Sequence, residues 1–211
     1  MADSAAGRPK LVLASGSPRR VALLEQIGLK PDALLPVDLD ESPRMGEKGL
    51  PLAKRLAREK AEAAALKAKD ISALAGSFIL AADTVVWAVG RVLPKPEQEL
   101  EAAWCLRKLS GRSHRVFTGI ALVTPDGKLR EKLVETRVRF KTLSKEEVAA
   151  YIASGEWRGK AGGYAIQGLA AAFCQRIIGS YPSVVGLPLA ETADLLNGEG
   201  FPVRSHWPSA Q

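Results

Sequence analysis

The longest apolar segment of the chain constrains the fold most. Residues 71–90 read ISALAGSFILAADTVVWAVG, which is long enough to span a bilayer. An acidic residue, Asp83, lies inside this segment, its second half is rich in β-branched residues, and Gly90 interrupts it. These features argue against a membrane span and predict a buried β-strand with its lead-in.

The patterns around this strand alternate between strand and helix. Residues 10–14 (KLVLA) are typical of a short strand, and Ser17 followed by Pro18 is typical of a helix start. Apolar residues at three- and four-residue spacing predict a helix over 51–67. Residues 116–140 indicate a hairpin around a Pro-Asp-Gly turn. Interleaved strands and helices predict an α/β fold, and the hairpin means that the sheet is not wholly parallel.

The second half of the chain continues the alternation. A helix is predicted over 97–109, with Leu100 among its core contacts, and the sequence SKEE predicts a capping box for a helix over 144–154. The segments 173–179 (FCQRIIG) and 183–186 (SVVG) both indicate strands because they are rich in β-branched residues.

Charge and cysteine usage narrow the classes of function. The 211-residue chain carries a net charge of +7, which favours anionic partners: nucleic acid, nucleotides or an acidic surface. The charge is spread along the chain without a long basic run, which argues against a nucleic-acid-binding tail. Cys105 and Cys174 lie far apart and outside any CxxC motif, which fits a reducing cytosol. With only His114 and His206 available, zinc is disfavoured, whereas a metal held by carboxylates stays open.

The segment SGSPRR, residues 15–20, indicates an anion-binding site. A helix N-terminus offers free N–H groups, and small residues let the backbone approach an oxyanion closely. Arg19 and Arg20 add donors that fork onto phosphate oxygens. The alternative is a capped surface helix with two solvated arginines. No Walker A motif, GxxxxGK[ST], is present.

Two carboxylates and two lysines are further candidates. Burial of Asp83 in a strand costs free energy unless it is paired or binds a metal, and the end of a strand in an open α/β sheet is where ligands bind. Glu41 is a candidate second metal ligand, or an ordinary loop acid. Lys60 falls on the apolar stripe of its helix, which indicates snorkelling or an anion in a cleft. Lys95 lies between two prolines in PKP; taken singly, either lysine is more often solvated.

The glycine-rich segment GGYAIQG offers an amide that can read a nucleobase. The amide of Gln167 can donate and accept at a base edge, although the glycines alone would also fit a plain turn. Together these residues suit a nucleoside triphosphate with a divalent cation. The cations would bind the phosphates, the two carboxylates would bind Mg²⁺ or Mn²⁺ and activate water, and the amide would bind the base.

These motifs resemble those of the Maf family of nucleotide pyrophosphatases. The resemblance runs over about residues 10–200 and is carried by LASGSPRR, LAREKA, AADTVV, PKP, LRKLSGRSH, KAGGYAIQG and VVGLPL. It implies a mixed, twisted sheet flanked by helices, in two lobes around a cleft, as in inosine triphosphate pyrophosphatases. We expect a single catalytic domain over 10–203, a flexible N-terminus (1–9), and a flexible tail (204–211) because the last residues, RSHWPSAQ, are typical of a loose end.

The resemblance also implies the reaction and the residues that carry it. The reaction is metal-dependent hydrolysis of a nucleoside triphosphate at its α-phosphorus to the monophosphate and pyrophosphate. Asp83 matches the proton acceptor of the family. Other positions match the polar site residues of the family. The match implies that Glu41 binds metal and that the substrate is bound by Ser15, Arg19, Arg20, Lys60 and Lys95.

Three positions distinguish the subfamilies. Arg19, Thr84 and Gln167 match the type that prefers dTTP and UTP, whereas the 7-methyl-GTP type carries Trp, Gln and Glu there. One departure is Gly159, where the family commonly has Asp before Lys-Ala-Gly; it puts an acidic role at that position in doubt.

Two alternatives to a dTTP/UTP pyrophosphatase stay open at this point. One is a 7-methyl-GTP pyrophosphatase of the same family. The other is a binder of nucleotides or nucleic acid without catalysis, a regulator of cell division or septum formation. The expected partner is a nucleoside triphosphate in the cytoplasm, with no membrane or nucleic acid, and analogy with relatives in the superfamily points to a homodimer.

Overall fold

A computed structural model describes residues 9–207. Almost all of the predicted flexible N-terminus and the last four residues of the predicted tail therefore lie outside the described residues. Seven strands lie within residues 9–207: β1 (Leu11–Leu13), β2 (Ala33–Leu34), β3 (Phe78–Ala88), β4 (Arg91–Leu93), β5 (Ser113–Val123), β6 (Leu129–Phe140) and β7 (Cys174–Ile178). The α-helices of this part of the chain are α1 (Pro18–Gln26), α2 (Gly49–Lys69), α3 (Glu99–Leu109), α4 (Lys145–Ser154), α5 (Tyr181–Val185) and α6 (Leu189–Gly198).

The strands form one mixed sheet in the order β2-β1-β3-β5-β6-β7, with β4 paired to β3. β1 runs parallel to both β2 and β3, and the remaining pairs are antiparallel. The predicted mixed α/β sheet flanked by helices is confirmed, and so are the predicted strand in 71–90 and the hairpin of β5 and β6. No helix within residues 9–207 combines the length and the apolar character needed to cross a membrane.

The centre of β3 has a strand neighbour on one side only. β1 pairs with β3 as far as Leu80, and β4 pairs with it from Val86 onwards. Among the strand pairings of the described residues, 81–85 therefore pair only with β5. The gap on the other side leaves room for a cleft at the carboxyl end of β1, where ligands bind in open α/β sheets.

Alternation along β3 decides which way its acidic residue faces. Leu80 and Ala82 pack into the main core, whereas Ile79 and Ala81 pack against the small residues of α2. Because side chains alternate between the faces of a strand, Asp83 shares the face that α2 covers.

α2 lies unusually close to the sheet. A Cβ placed on Gly119 of β5 would stand 2.4 Å from the backbone oxygen of Ala53 in α2, closer than any side chain fits. The glycine and the alanine stripe of α2 therefore set the distance between helix and strand.

Two local predictions are wrong. Residues 183–186 belong to the end of helix α5 rather than to a strand, because Ser180 caps the helix by accepting from the Ser183 amide and a proline follows in the first turn. Leu100 is 78% exposed, since it lies off the buried stripe of α3 formed by Ala102, Cys105, Leu106 and Leu109.

Two other local features concern the start of α4 and the C-terminal segment. The predicted capping box is confirmed: Ser144 and Glu147 exchange side-chain and backbone hydrogen bonds at the start of α4. Where the sequence predicted a flexible tail, Val203–His206 forms a short 3-10 helix, and the Trp207 indole donates to the Ile27 carbonyl.

Candidate functional site

A cavity of about 240 Å³ lies at the gap beside the centre of β3. Its walls come from the end of β1, the start of α1, the loop before α2, α2 itself, β3, the PKP segment, and the segments 159–167 and 184–186. The cavity is lined by every side chain that the sequence singled out as a site residue, namely Ser15, Arg19, Arg20, Glu41, Lys60, Asp83, Thr84, Lys95 and Gln167.

Arg20 is fixed inside the cavity rather than solvated. Its Nε donates to the carbonyl of Gly186 at 2.9 Å, and its Nη1 donates to the Ser15 hydroxyl at 3.0 Å. Burial lowers the pKa of Arg20, although the nearby carboxylates of Asp83 and Glu41 act to raise it. An arginine keeps its charge in such surroundings, so the site holds a positioned cation.

Ser17 occupies the N-cap position of α1 without capping through its side chain. Its backbone N–H donates to the Ser15 hydroxyl at 3.2 Å, which gives Ser15 a structural contact with both the helix start and Arg20.

A lysine joins the two candidate carboxylates. Nζ of Lys60 lies 2.5 Å from Oε1 of Glu41 and 2.6 Å from Oδ1 of Asp83, and Lys95 donates to the other oxygen of Glu41. Lys60 and Asp83 are 7% and 2% exposed. Although burial acts to raise the pKa of Glu41, the hydrogen bonds from Lys60 and Lys95 outweigh it and lower this pKa to about 2. The buried Asp83 carboxylate is therefore paired with Lys60, and it also faces the cavity.

The lining carries an excess of positive charge. Its cations are Arg19, Arg20, Lys60, Lys95 and Lys160, against two carboxylates. The pKa of Arg19 is lowered by burial and then by the charge of Arg20, and the pKa of Lys160 is lowered by burial and then by Arg19. Because these cations raise each other's free energy, an anion placed among them is stabilised.

Segment 159–167 of the cavity wall carries Gln167, one of the three residues expected to read a base. Gln167 itself is exposed, but two buried hydrogen bonds fix the segment that precedes it. The Tyr164 hydroxyl lies 2.8 Å from Nε2 of His114, and the Ala165 amide donates to the Tyr151 hydroxyl at 2.9 Å. The Gln167 side chain therefore projects from a fixed segment.

Sequence reasoning missed several residues of this site. Lys160 and Gly186 line the cavity, and Thr118 stands behind Thr84. Lys160 and Gly186 lie in the motifs KAGGYAIQG and VVGLPL, so these motifs could have indicated them as site residues. No sequence pattern indicated Thr118. Gly159, the departure from the family pattern, also lines the cavity with a φ of +65°.

Comparison with known proteins places this constellation in a family. Residues 10–199 match the family described as Maf-like protein. The chain belongs to the Maf family.

Two relatives that align over nearly the whole chain have the same name. A protein of Rhodopseudomonas palustris (strain HaA2), named dTTP/UTP pyrophosphatase, is 60% identical over 97% of this chain and 99% of its own length. A protein of Nitrobacter winogradskyi with the same name is 61% identical over 95% of this chain and 97% of its own length.

The similarity to solved structures is weaker. A nucleoside-triphosphatase / dITP/XTP pyrophosphatase from Mycobacterium abscessus is 20% identical, with a TM-score of 0.38 over 62% of this chain and 72% of its own. The Ham1 protein of Staphylococcus aureus is 16% identical, with a TM-score of 0.42 over 65% of this chain and 88% of its own.

Proposed function

We propose that the protein hydrolyses nucleoside triphosphates, dTTP and UTP above all, to the nucleoside monophosphate and pyrophosphate, thereby removing non-standard or excess nucleotides. The observation that carries the proposal is the buried Lys60–Asp83 pair at the wall of a cavity with a net positive lining. A binding module needs the cations but has no need of two carboxylates beside them. The name shared by Maf relatives of about 60% identity supports the same reaction and the same nucleotides.

The cations hold the triphosphate in this account. Arg20 presents a planar set of donors fixed by Gly186 and Ser15, which suits phosphate oxygens. Arg19 and Lys95 would add charge along the chain of phosphates. The Lys60 ammonium, which neutralises Glu41 and Asp83, would also contact phosphate oxygens in the complex.

Glu41 and Asp83 fit a divalent cation shared with the substrate. Within residues 9–207, no group of three or more His, Cys, Asp or Glu side chains is arranged to hold a metal alone. The two carboxylates contact the same ammonium, so their oxygens face one region of the cavity, and Mg²⁺ commonly takes one or two carboxylates plus substrate phosphates. Bound there, Mg²⁺ or Mn²⁺ would neutralise charge on the phosphate oxygens.

Asp83 would act as the general base. The hydrogen bonds of the described residues occupy its Oδ1 and leave Oδ2 to take up a proton. A water oxygen would form a bond to the α-phosphorus while its proton passes to Asp83. The bond from that phosphorus to the oxygen bridging to the β-phosphorus breaks, and pyrophosphate leaves with the electron pair. Proton transfer of this kind is worth about 10²–10⁴-fold in rate.

A panel of nucleotides tests the proposal. The protein is incubated with Mg²⁺ or Mn²⁺ and dTTP, UTP, CTP, ATP, GTP or 7-methyl-GTP, and pyrophosphate and orthophosphate are measured separately. We expect pyrophosphate from dTTP and UTP foremost, and at least about 100-fold less from Asp83→Asn with its fold intact by circular dichroism. Asp126→Asn, in the exposed hairpin turn, is the matched control and should keep wild-type activity.

Two outcomes would count against it. No pyrophosphate from any nucleotide, together with tight and salt-sensitive DNA binding, would favour the non-catalytic binder. Pyrophosphate from 7-methyl-GTP above all others would favour the other subfamily.

Location and assembly complete the proposal. We propose a cytoplasmic enzyme, since Cys105 and Cys174 are free thiols and nucleotide pools lie in that compartment. By analogy we propose a homodimer. Light scattering should then give about twice the 22.5 kDa chain mass, and a value equal to one chain would discard the dimer.

A further inference from the structure

Thr118 stands directly behind the cavity wall without reaching the cavity. It is 0% exposed, and in the antiparallel register of β3 and β5 it is the partner of Thr84. The two side-chain hydroxyl oxygens lie 3.1 Å apart. Thr84 lines the cavity, so the pair forms a short path from a buried position to the site.

The hydroxyl proton of Thr118 is donated to a backbone carbonyl. Its hydroxyl donates to the carbonyl of Ser183 at 2.8 Å. The short helix α5 gives that carbonyl no donor of its own, because the N–H groups of Gly186 and Leu187 both go to the carbonyl of Pro182. A buried carbonyl without a partner is unfavourable, so the Thr118 proton stays on it.

The direction of the next hydrogen bond follows from proton counting. A threonine hydroxyl has one proton and two lone pairs. Because the Thr118 hydroxyl donates its one proton to the Ser183 carbonyl, it can only accept a hydrogen bond from Thr84. The proton of Thr84 therefore points away from the cavity, and only its lone pairs face a ligand.

We propose that Thr118 is a positioning residue that makes Thr84 an obligatory acceptor, so that the site selects pyrimidine nucleotides with an N–H donor in the ring. The proposal rests on the proposed function and adds to it the direction of one hydrogen bond. Uracil and thymine carry a proton on N3, whereas N3 of cytosine is an acceptor. Two acceptors facing each other are left unpaired, and a site built this way rejects the mismatched base strongly.

Substitution of Thr118 by valine tests the direction of the bond. Thr118→Val keeps the shape of the side chain but frees the Thr84 proton to turn towards the cavity. We expect the UTP to CTP ratio of kcat/KM to fall by about tenfold, the size of one hydrogen bond of this kind. Thr118→Ser keeps the hydroxyl and should restore the wild-type ratio.

Thr136→Val is the matched control. Thr136 is likewise 0% exposed, and its hydroxyl donates to the carbonyl of Ser180, just before α5, at 3.2 Å. The substitution removes this bond and also the one that the Thr136 hydroxyl accepts from the Ser180 amide at 3.1 Å, so it disturbs the same segment without removing a partner of Thr84. We expect the UTP to CTP ratio to stay at the wild-type value.

The outcomes separate this proposal from the proposed function. If Thr118→Val lowers the rates for UTP and CTP equally, or if Thr136→Val lowers the ratio as much, the positioning role is overturned while the pyrophosphatase activity stands. If the wild-type protein releases no pyrophosphate from any nucleotide, both fail.

A wild-type measurement covers the case in which Thr118→Val does not fold. UTP methylated on N3 lacks the proton that Thr84 accepts, so we expect kcat/KM for it to be at least about 100-fold below that for UTP. Equal use of the methylated nucleotide would overturn the proposal.

Discussion

The ammonium of Lys60 lies 2.6 Å from a carboxylate oxygen of Asp83 and bridges helix α2 to strand β3. Both side chains are buried, and both face the cavity. Removal of water from two opposite charges is costly, and the pair persists because each charge neutralises the other. The same pair is placed to act on a bound phosphate, so one contact connects the stability of the fold to the proposed chemistry.

Loss of the lysine should destabilise the protein through its partner. Lys60→Met leaves the Asp83 carboxylate buried without its cation, and we expect the free energy of unfolding to fall by about 3 kcal/mol in urea denaturation at pH 7. Lys54→Met is the control, because Lys54 lies on the same helix but is exposed, with an ion pair of 3.9 Å to Glu131. Its effect should stay within about 0.5 kcal/mol. Equal stability of the two variants would contradict the account of the pair.

The close approach of α2 to β5 gives a second stability prediction. A methyl group on Gly119 meets the backbone of Ala53, so Gly119→Ala should cost about 1–3 kcal/mol and shift the helix that carries Lys60. We expect both the melting temperature and pyrophosphate release to fall. Gly198→Ala, where a Cβ meets nothing within 4 Å, should do neither. An unchanged melting temperature for Gly119→Ala would show that the helix tolerates displacement.

Stability should depend on pH through His114. Burial lowers the pKa of His114 to about 4, from an ordinary 6.5. Between these values the unfolded chain binds a proton that the folded chain does not, so this contribution to stability is present above pH 6.5 and is lost as the pH falls towards 4. The loss amounts to about 3 kcal/mol. Denaturation curves of wild type and His114→Gln should therefore converge as the pH falls; parallel curves would refute the assignment.

Base choice should depend on Gln167. Gln167→Glu replaces an amide that can both donate and accept by a charged acceptor. We expect kcat/KM for dTTP and UTP to fall by about tenfold or more, with little change in metal dependence. The measurement is the ranking of the nucleotide panel at saturating Mg²⁺. An unchanged ranking would remove Gln167 from base recognition and leave Arg19 and Thr84 as the candidates.

Local patterns predicted the elements that rely on nearby residues. The capping box of Ser144 and Glu147 and the helical stripe that carries Lys60 inward both follow from spacing within one element. Burial of Asp83 followed from the apolar strand around it. The segment 183–186 misled because its valines favour a strand, whereas a serine cap and a proline upstream start a helix there.

Long-range contacts could not be predicted from such patterns. The bond between Lys60 and Asp83 requires α2 to pack on the correct face of β3, which only the assembled sheet fixes. The bond from Arg20 to the Gly186 carbonyl spans 166 residues of sequence. The family resemblance predicted which residues gather, and the structure supplies the partners and directions of their hydrogen bonds.

The position of water attack tests the central claim most directly. The protein is allowed to hydrolyse dTTP in water enriched in ¹⁸O, and the masses of the products are measured by mass spectrometry. Attack at the α-phosphorus puts one ¹⁸O into dTMP and none into pyrophosphate, and this is the result that the account predicts. Label in pyrophosphate or in orthophosphate, with unlabelled nucleotide, would place the attack at another phosphorus and contradict it.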